Sequence, residues 1–76
     1  MTNLYKPIAC SLHDEYEIAI MQKRHLTITW LDDSGVSHSD RVLPKDILVK
    51  DRAEFLVANT KEDKELKIRL DKITIL

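Results

Sequence analysis

The chain is poor in the residues on which several chemistries depend. Its 76 residues include one cysteine and one glycine. A lone cysteine closes no internal disulfide and makes no Cys-x-x-Cys metal knuckle, which points to a reducing compartment. A single glycine excludes the glycine-built loops that cradle phosphates. His13, His25 and His38 lack the paired spacing of a zinc site. No apolar run approaches the ~18 residues that a membrane span needs. The opening "MTNLYKPIAC" has no long apolar stretch, so no signal peptide is expected. Nor is there an excess of one charge: 12 Lys and Arg face 13 Asp and Glu, a net charge of -1, with a pI near 6.3. A general nucleic-acid binder has a domain pI above ~9. These absences lead us to expect one cytoplasmic domain over residues 1–76, near the lower size limit for a single core, with no cofactor and no membrane contact.

What is present reads as one helix followed by short strands. Ser11 is a favourable N-cap, with Asp14 and Glu15 in the first turn and Lys23, Arg24 and His25 in the last, as the helix dipole prefers. The spacing predicts a helix over 12–24. Leu12, Tyr16, Ala19 and Ile20 then share one face, and Asp14 and Glu17 the other with Glu15 at its flank. "YEIAI" also alternates at period two, which leaves a strand reading open.

From Leu26 the period changes to two. "LTITWL" sets Leu26, Ile28 and Trp30 on one side, a half-buried strand in which Trp30 belongs to the core. "DDSG" at 32–35 is a turn cluster. "VSHSDRVL" is polar and fits an exposed or edge strand interrupted by Pro44. "AEFLVAN" is a second clear strand, "TKEDK" a polar turn, and "ELKIRL" aligns Leu66, Ile68 and Leu70 before "DK" and a final "ITIL". The expected core is Leu26, Ile28, Trp30, Phe55 or Leu56, Leu66, Ile68 and Ile73. The fold class is mainly β (α+β), a strongly bent antiparallel sheet or small barrel with an N-terminal helix.

Three carboxylates within four positions, Asp14, Glu15 and Glu17, are the most conspicuous chemistry. They either stabilise a helix N-terminus, each by ~0.3–1 kcal/mol, or meet a positive partner. Tyr16 faces the core side. Cys10, beside Ile8 and Ala9, is expected to be a small buried hydrophobe. His13 is near it in sequence, but no third orienting group or oxyanion loop accompanies the pair, so no enzyme is expected. Lys50, Asp51 and Arg52 form a charged loop between strands, whose simplest reading is a solvated turn.

The end of the chain, "LKIRLDKITIL", resembles the closing signature of Sm-like proteins. Ile68, Arg69, Asp71, Ile73 and Ile75 match its rhythm, while Leu70 stands where that pattern has glycine. In Sm-like rings this turn lines an RNA pocket, and the leucine removes the close backbone approach that glycine permits. "YKPIAC" at 5–10, the Asp14-Glu15-Tyr16-Glu17 run and the Arg69-Leu70-Asp71-Lys72-Ile73 run together resemble the Rho-specific inhibitors of transcription termination of the Rof or YaeO type. The resemblance covers Tyr5 to about Ile73. The pair Leu12-His13 departs from the family by lengthening the segment before the acids. The resemblance implies an Sm-like fold without catalysis. It implies binding to the N-terminal RNA-binding domain of the hexameric helicase Rho, keeping nascent RNA from its primary site, and we expect the chain to be a monomer when free. The contact residues would be Asp14, Glu15, Tyr16 and Glu17. Lys50, Asp51 and Arg52 are a second candidate, because a polar, basic loop occupies that place in the family. No direct nucleic-acid contact is expected. The alternative is an Sm-like RNA-binding module, which would use a basic, glycine-containing pocket.

Overall fold

The computed structural model describes residues 6–76; Tyr5, the first residue of the resemblance, lies outside them. Helix α1 (Cys10–Gln22) leads into strands β1 (Leu26–Leu31), β2 (Ser37–Lys50), β3 (Ala53–Asn59) and β4 (Glu65–Arg69). A 3-10 turn (Leu70–Lys72) then precedes the short β5 (Ile73–Ile75). All pairings are antiparallel, in the order β4-β3-β2-β1-β5. The expected leading helix and bent five-stranded sheet are present. The small-barrel form is not: β4 and β5 end the hydrogen-bonded order, so the sheet stays open.

The bend arises in β2, whose 14 residues serve two neighbours. Its first half pairs with β1 from Ser37 to Val42, its second with β3 from Leu43 to Lys50. Pro44 does not interrupt the strand, and β2 is central rather than an edge. Proline has no N–H to give to a ladder. The register shifts between Pro44 and Asp46, and a bulge of this kind bends a strand without ending it.

The helix begins earlier than its cap residues suggest. Ala9 is the N-cap and contributes no side-chain bond; its carbonyl accepts from the Leu12 and His13 N–H groups, each at 3.0 Å. Ser11 therefore lies inside the helix, and no acid falls in the first turn. Packing of Ile8 against the core sets where the chain enters, which outweighs a cap preference of ~1 kcal/mol. At the far end Lys23 is left-handed, with φ 53°. Its N–H bonds Ile20 O and the Arg24 N–H bonds Ala19 O, a Schellman closure. Arg24 and His25 thus follow the helix.

Tyr16, Ile28, Val42, Leu56, Ala58, Ile68, Leu70 and Ile73 form the buried cluster. Leu26, Trp30 and Leu66 pack at its margin. Of the two adjacent candidates on β3, Leu56 points inward and Phe55 is half-buried. Val42 completes the core directly after the polar run Ser37 to Arg41.

Asp71 closes the β4–β5 connection. Arg69 grips it through Nε (3.1 Å) and Nη2 (2.5 Å), and the Lys6 backbone N–H donates to it at 3.0 Å. Its side chain is 9% exposed. Burial opposes its ionisation, but the Arg69 and Lys6 hydrogen bonds outweigh that and hold the carboxyl below its ordinary value. The sign follows: the stabilisation is complete above the ordinary Asp value of ~3.9 and is lost as pH falls through the lower folded value. We expect Asp71→Asn to cost about 1.5–3 kcal/mol at neutral pH, and the difference from the parent chain to shrink in acid. Urea melts across pH measure both; a difference that grows in acid rejects the assignment.

Candidate functional site

The outer face of α1 carries the acids. Tyr16 and Ala19 face the core, so Asp14 and Glu17 project outward and Glu15 lies about 100° round from Asp14. All three are exposed. Two apolar side chains share their face: Ile18, one turn from Asp14, and Met21, one turn from Glu17 and 77% exposed. Sequence periodicity had a signal for both, since they fall outside the inner face. A groove of ≈ 280 Å³ runs along this flank, lined by Glu17, Ile20, Met21, Asp46 and Ile47.

Tyr16 is fully buried, and its ring anchors α1 rather than standing at the surface beside the acids. Cys10, expected to be buried, is exposed. It occupies the first helical position, four residues before Asp14 and seven before Glu17, which puts it on the outer face.

His13 joins the acidic face to the sheet. Its Nδ1 lies 3.2 Å from Glu17 and its Nε2 lies 2.7 Å from Glu54 on β3. Only the imidazolium has two N–H groups to donate to both. The His13–Glu17 spacing of four is legible in the sequence as a helical pair. Glu54 is 41 positions away from His13, and no local signal points to it.

Through this contact the second candidate region comes alongside the first. Glu54 pairs with Val49, one step from the Lys50–Ala53 pair that closes the β2–β3 hairpin. Asp51 and Arg52 form its two-residue tip, at φ 52° and 63°, the double left-handed signature of a type I′ turn. A side chain in this region costs roughly 1–2 kcal/mol. The tip therefore holds two charged residues in a conformation better suited to glycine, and all three of Lys50, Asp51 and Arg52 are exposed. Leu48 and Val49 add exposed apolar surface on the same strand end.

The arrangement suits recognition. Among the described residues no three His, Cys, Asp or Glu groups are placed to hold a metal, and no helix is long and apolar enough to cross a membrane. No curated protein gives a significant match to the chain. Residues 7–76 match a family model described as modulator of Rho-dependent transcription termination. A match over nearly the whole length, carrying both the acidic helix and the Arg69-Leu70-Asp71 turn, shows that the chain belongs to the ROF family of modulators of Rho-dependent transcription termination.

Proposed function

We propose that this chain binds the N-terminal RNA-binding domain of Rho through the outer face of α1 and blocks its primary RNA site, without catalysis of its own. The observation that carries this reading is the make-up of that face: Asp14 and Glu17 beside exposed Ile18 and Met21. A surface that binds RNA backbone must be basic. Carboxylates oppose it, and apolar side chains among them supply the desolvated centre that charge alone lacks. The β2–β3 hairpin tip, tied to α1 through Glu54 and His13, is the second contact. The protein is cytoplasmic and a monomer when free. Leu70 supports this reading over an Sm-like RNA-binding module, because its side chain fills the turn from within the core.

A displacement assay tests the proposal. A labelled RNA oligonucleotide is bound to Rho and the chain is titrated in. The expected outcome is release of RNA into the free fraction as the chain saturates Rho. Retention of RNA by a Rho saturated with the chain would place the contact elsewhere. Transfer of the RNA onto the chain itself would favour the RNA-binding module.

A further inference from the structure

A second cluster of charge lies apart from the acidic helix and has the opposite sign. His25, Arg41, Asn59, Thr60 and Lys61 line a cavity of ≈ 200 Å³. The sheet register brings them together. Leu26 pairs with Val42, and Leu43 with Asn59. The residue before β1, the middle of β2 and the end of β3 therefore meet in one row. Thr60 and Lys61 follow where the chain turns toward β4, in a turn closed by Thr60 N–H to Lys64 O and Asp63 N–H to Thr60 O.

Every side chain of this lining can donate a hydrogen bond, and none is a carboxylate. Of the nearby acids, Asp40 turns its carboxylate to the Arg41 backbone N–H at 2.7 Å, and Glu62 and Asp63, which follow Lys61 in the turn, do not line the cavity. Among the described residues, none of the His25, Arg41 and Lys61 side chains has a hydrogen-bond or ion-pair partner. The Thr60 hydroxyl oxygen accepts from the Glu62 and Lys64 N–H groups, which leaves its proton to donate. Like charges gathered without an ion pair repel. In a chain with more acids than bases, such a cluster is relieved by an anion that supplies several acceptor oxygens at once.

We propose that this cavity is a binding site for a phosphate-class oxyanion, held by the Arg41 guanidinium and the Lys61 ammonium and oriented by Asn59 and Thr60. The guanidinium fork suits two oxygens of one phosphate. The flexible ammonium meets a third as a point charge. A free phosphate compound and the backbone of a polynucleotide both present such an oxyanion, and the two share this chemistry.

Amide NMR of the full chain tests the site, with pyrophosphate as the probe and ionic strength held constant by chloride. Saturable shifts are expected at Arg41, Thr60 and Lys61. The Arg41→Gln, Lys61→Gln double variant should bind at least tenfold more weakly, about 1.4 kcal/mol. Lys45→Gln, which removes an exposed cation outside the cavity, should bind as the parent does. A short single-stranded RNA in place of pyrophosphate separates the sources. Tighter binding of RNA with the same shifted amides identifies a backbone phosphate, and equal or weaker binding identifies a free phosphate compound. Shifts reproduced by chloride alone, or a loss in Lys45→Gln equal to that in the double variant, would overturn the site. None of these readouts involves Rho.

Discussion

Reversing two charges on α1, Asp14→Lys with Glu17→Lys, is expected to abolish binding to the N-terminal domain of Rho in titration calorimetry while the chain stays folded. Like charges facing each other across an interface repel as well as forfeit attraction. Alanine changes grade the contact. A side chain at the solvated rim costs ~0.2–1 kcal/mol, whereas a desolvated, hydrogen-bonded carboxylate costs ~2–5 kcal/mol. Asp14 should be the costlier of the two. It stands between Ile18 and Glu17 on the outermost face and has no ion-pair partner among the described residues, while the Glu17 carboxylate lies 3.2 Å from His13 Nδ1. Glu15 lies round the helix and should cost least. Raising the salt should weaken binding, since exposed charges are screened over ~8 Å at physiological ionic strength.

The structure also removes a confounding effect from this experiment. With α1 starting at Cys10, Asp14 is past the first turn, beyond which the dipole interaction fades. Losing its charge does not uncap the helix. The His13–Glu17 contact is lost, but Glu17 is exposed and such a helical pair is worth only a few tenths of a kcal/mol, and His13–Glu54 still ties α1 to β3. Thermal melts of each variant check this. A folded, doubly reversed chain that binds Rho unchanged would eliminate the acidic face and leave the Lys50–Arg52 hairpin as the contact.

Leu70→Ala should produce the largest loss of stability. The side chain is 0% exposed and sits at the first position of the 3-10 turn between β4 and β5, where it packs with Leu56, Ile68 and Ile73 in one cluster. Truncating a buried leucine costs ~2–5 kcal/mol, a large part of the ~5–15 kcal/mol that holds a domain folded. Leu70→Gly should lose a further ~0.5–1 kcal/mol through added chain freedom. Urea melts read the loss directly. A midpoint unchanged by Leu70→Ala would show that the turn does not depend on this packing. A Leu70→Gly chain that remains folded and gains affinity for RNA would restore the reading of this turn as a nucleic-acid pocket.

Much of this fold was legible as local pattern. Alternation at Leu26–Trp30 and Leu66–Ile68 placed two strands, and the 3.6-residue period placed Tyr16 and Ala19 on the inner face of α1. The errors share one cause. Ser11 as cap, Pro44 as breaker and Cys10 as core were inferred from intrinsic preferences, and tertiary packing overrode each. A proline ends a strand only where its missing N–H has no alternative, and a bulge provides one. The register shift between Pro44 and Asp46 depends on pairing with β3, which no neighbour of Pro44 in the chain reveals.

The same division runs through the two candidate sites. The sequence by itself determined that a carboxylate-rich face would exist on an exposed helix, because period and charge are local properties. It also determined that a charged tip would join two strands, because turn residues act within a few positions. Only the tertiary structure decided that these two features adjoin, through a 2.7 Å contact between His13 and Glu54. It alone gathered His25, Arg41 and Lys61 around one cavity. The first depends on how α1 docks on the sheet through Tyr16 and Ala19, the second on strand register, and both are set by which apolar side chains share the core rather than by any run of adjacent residues.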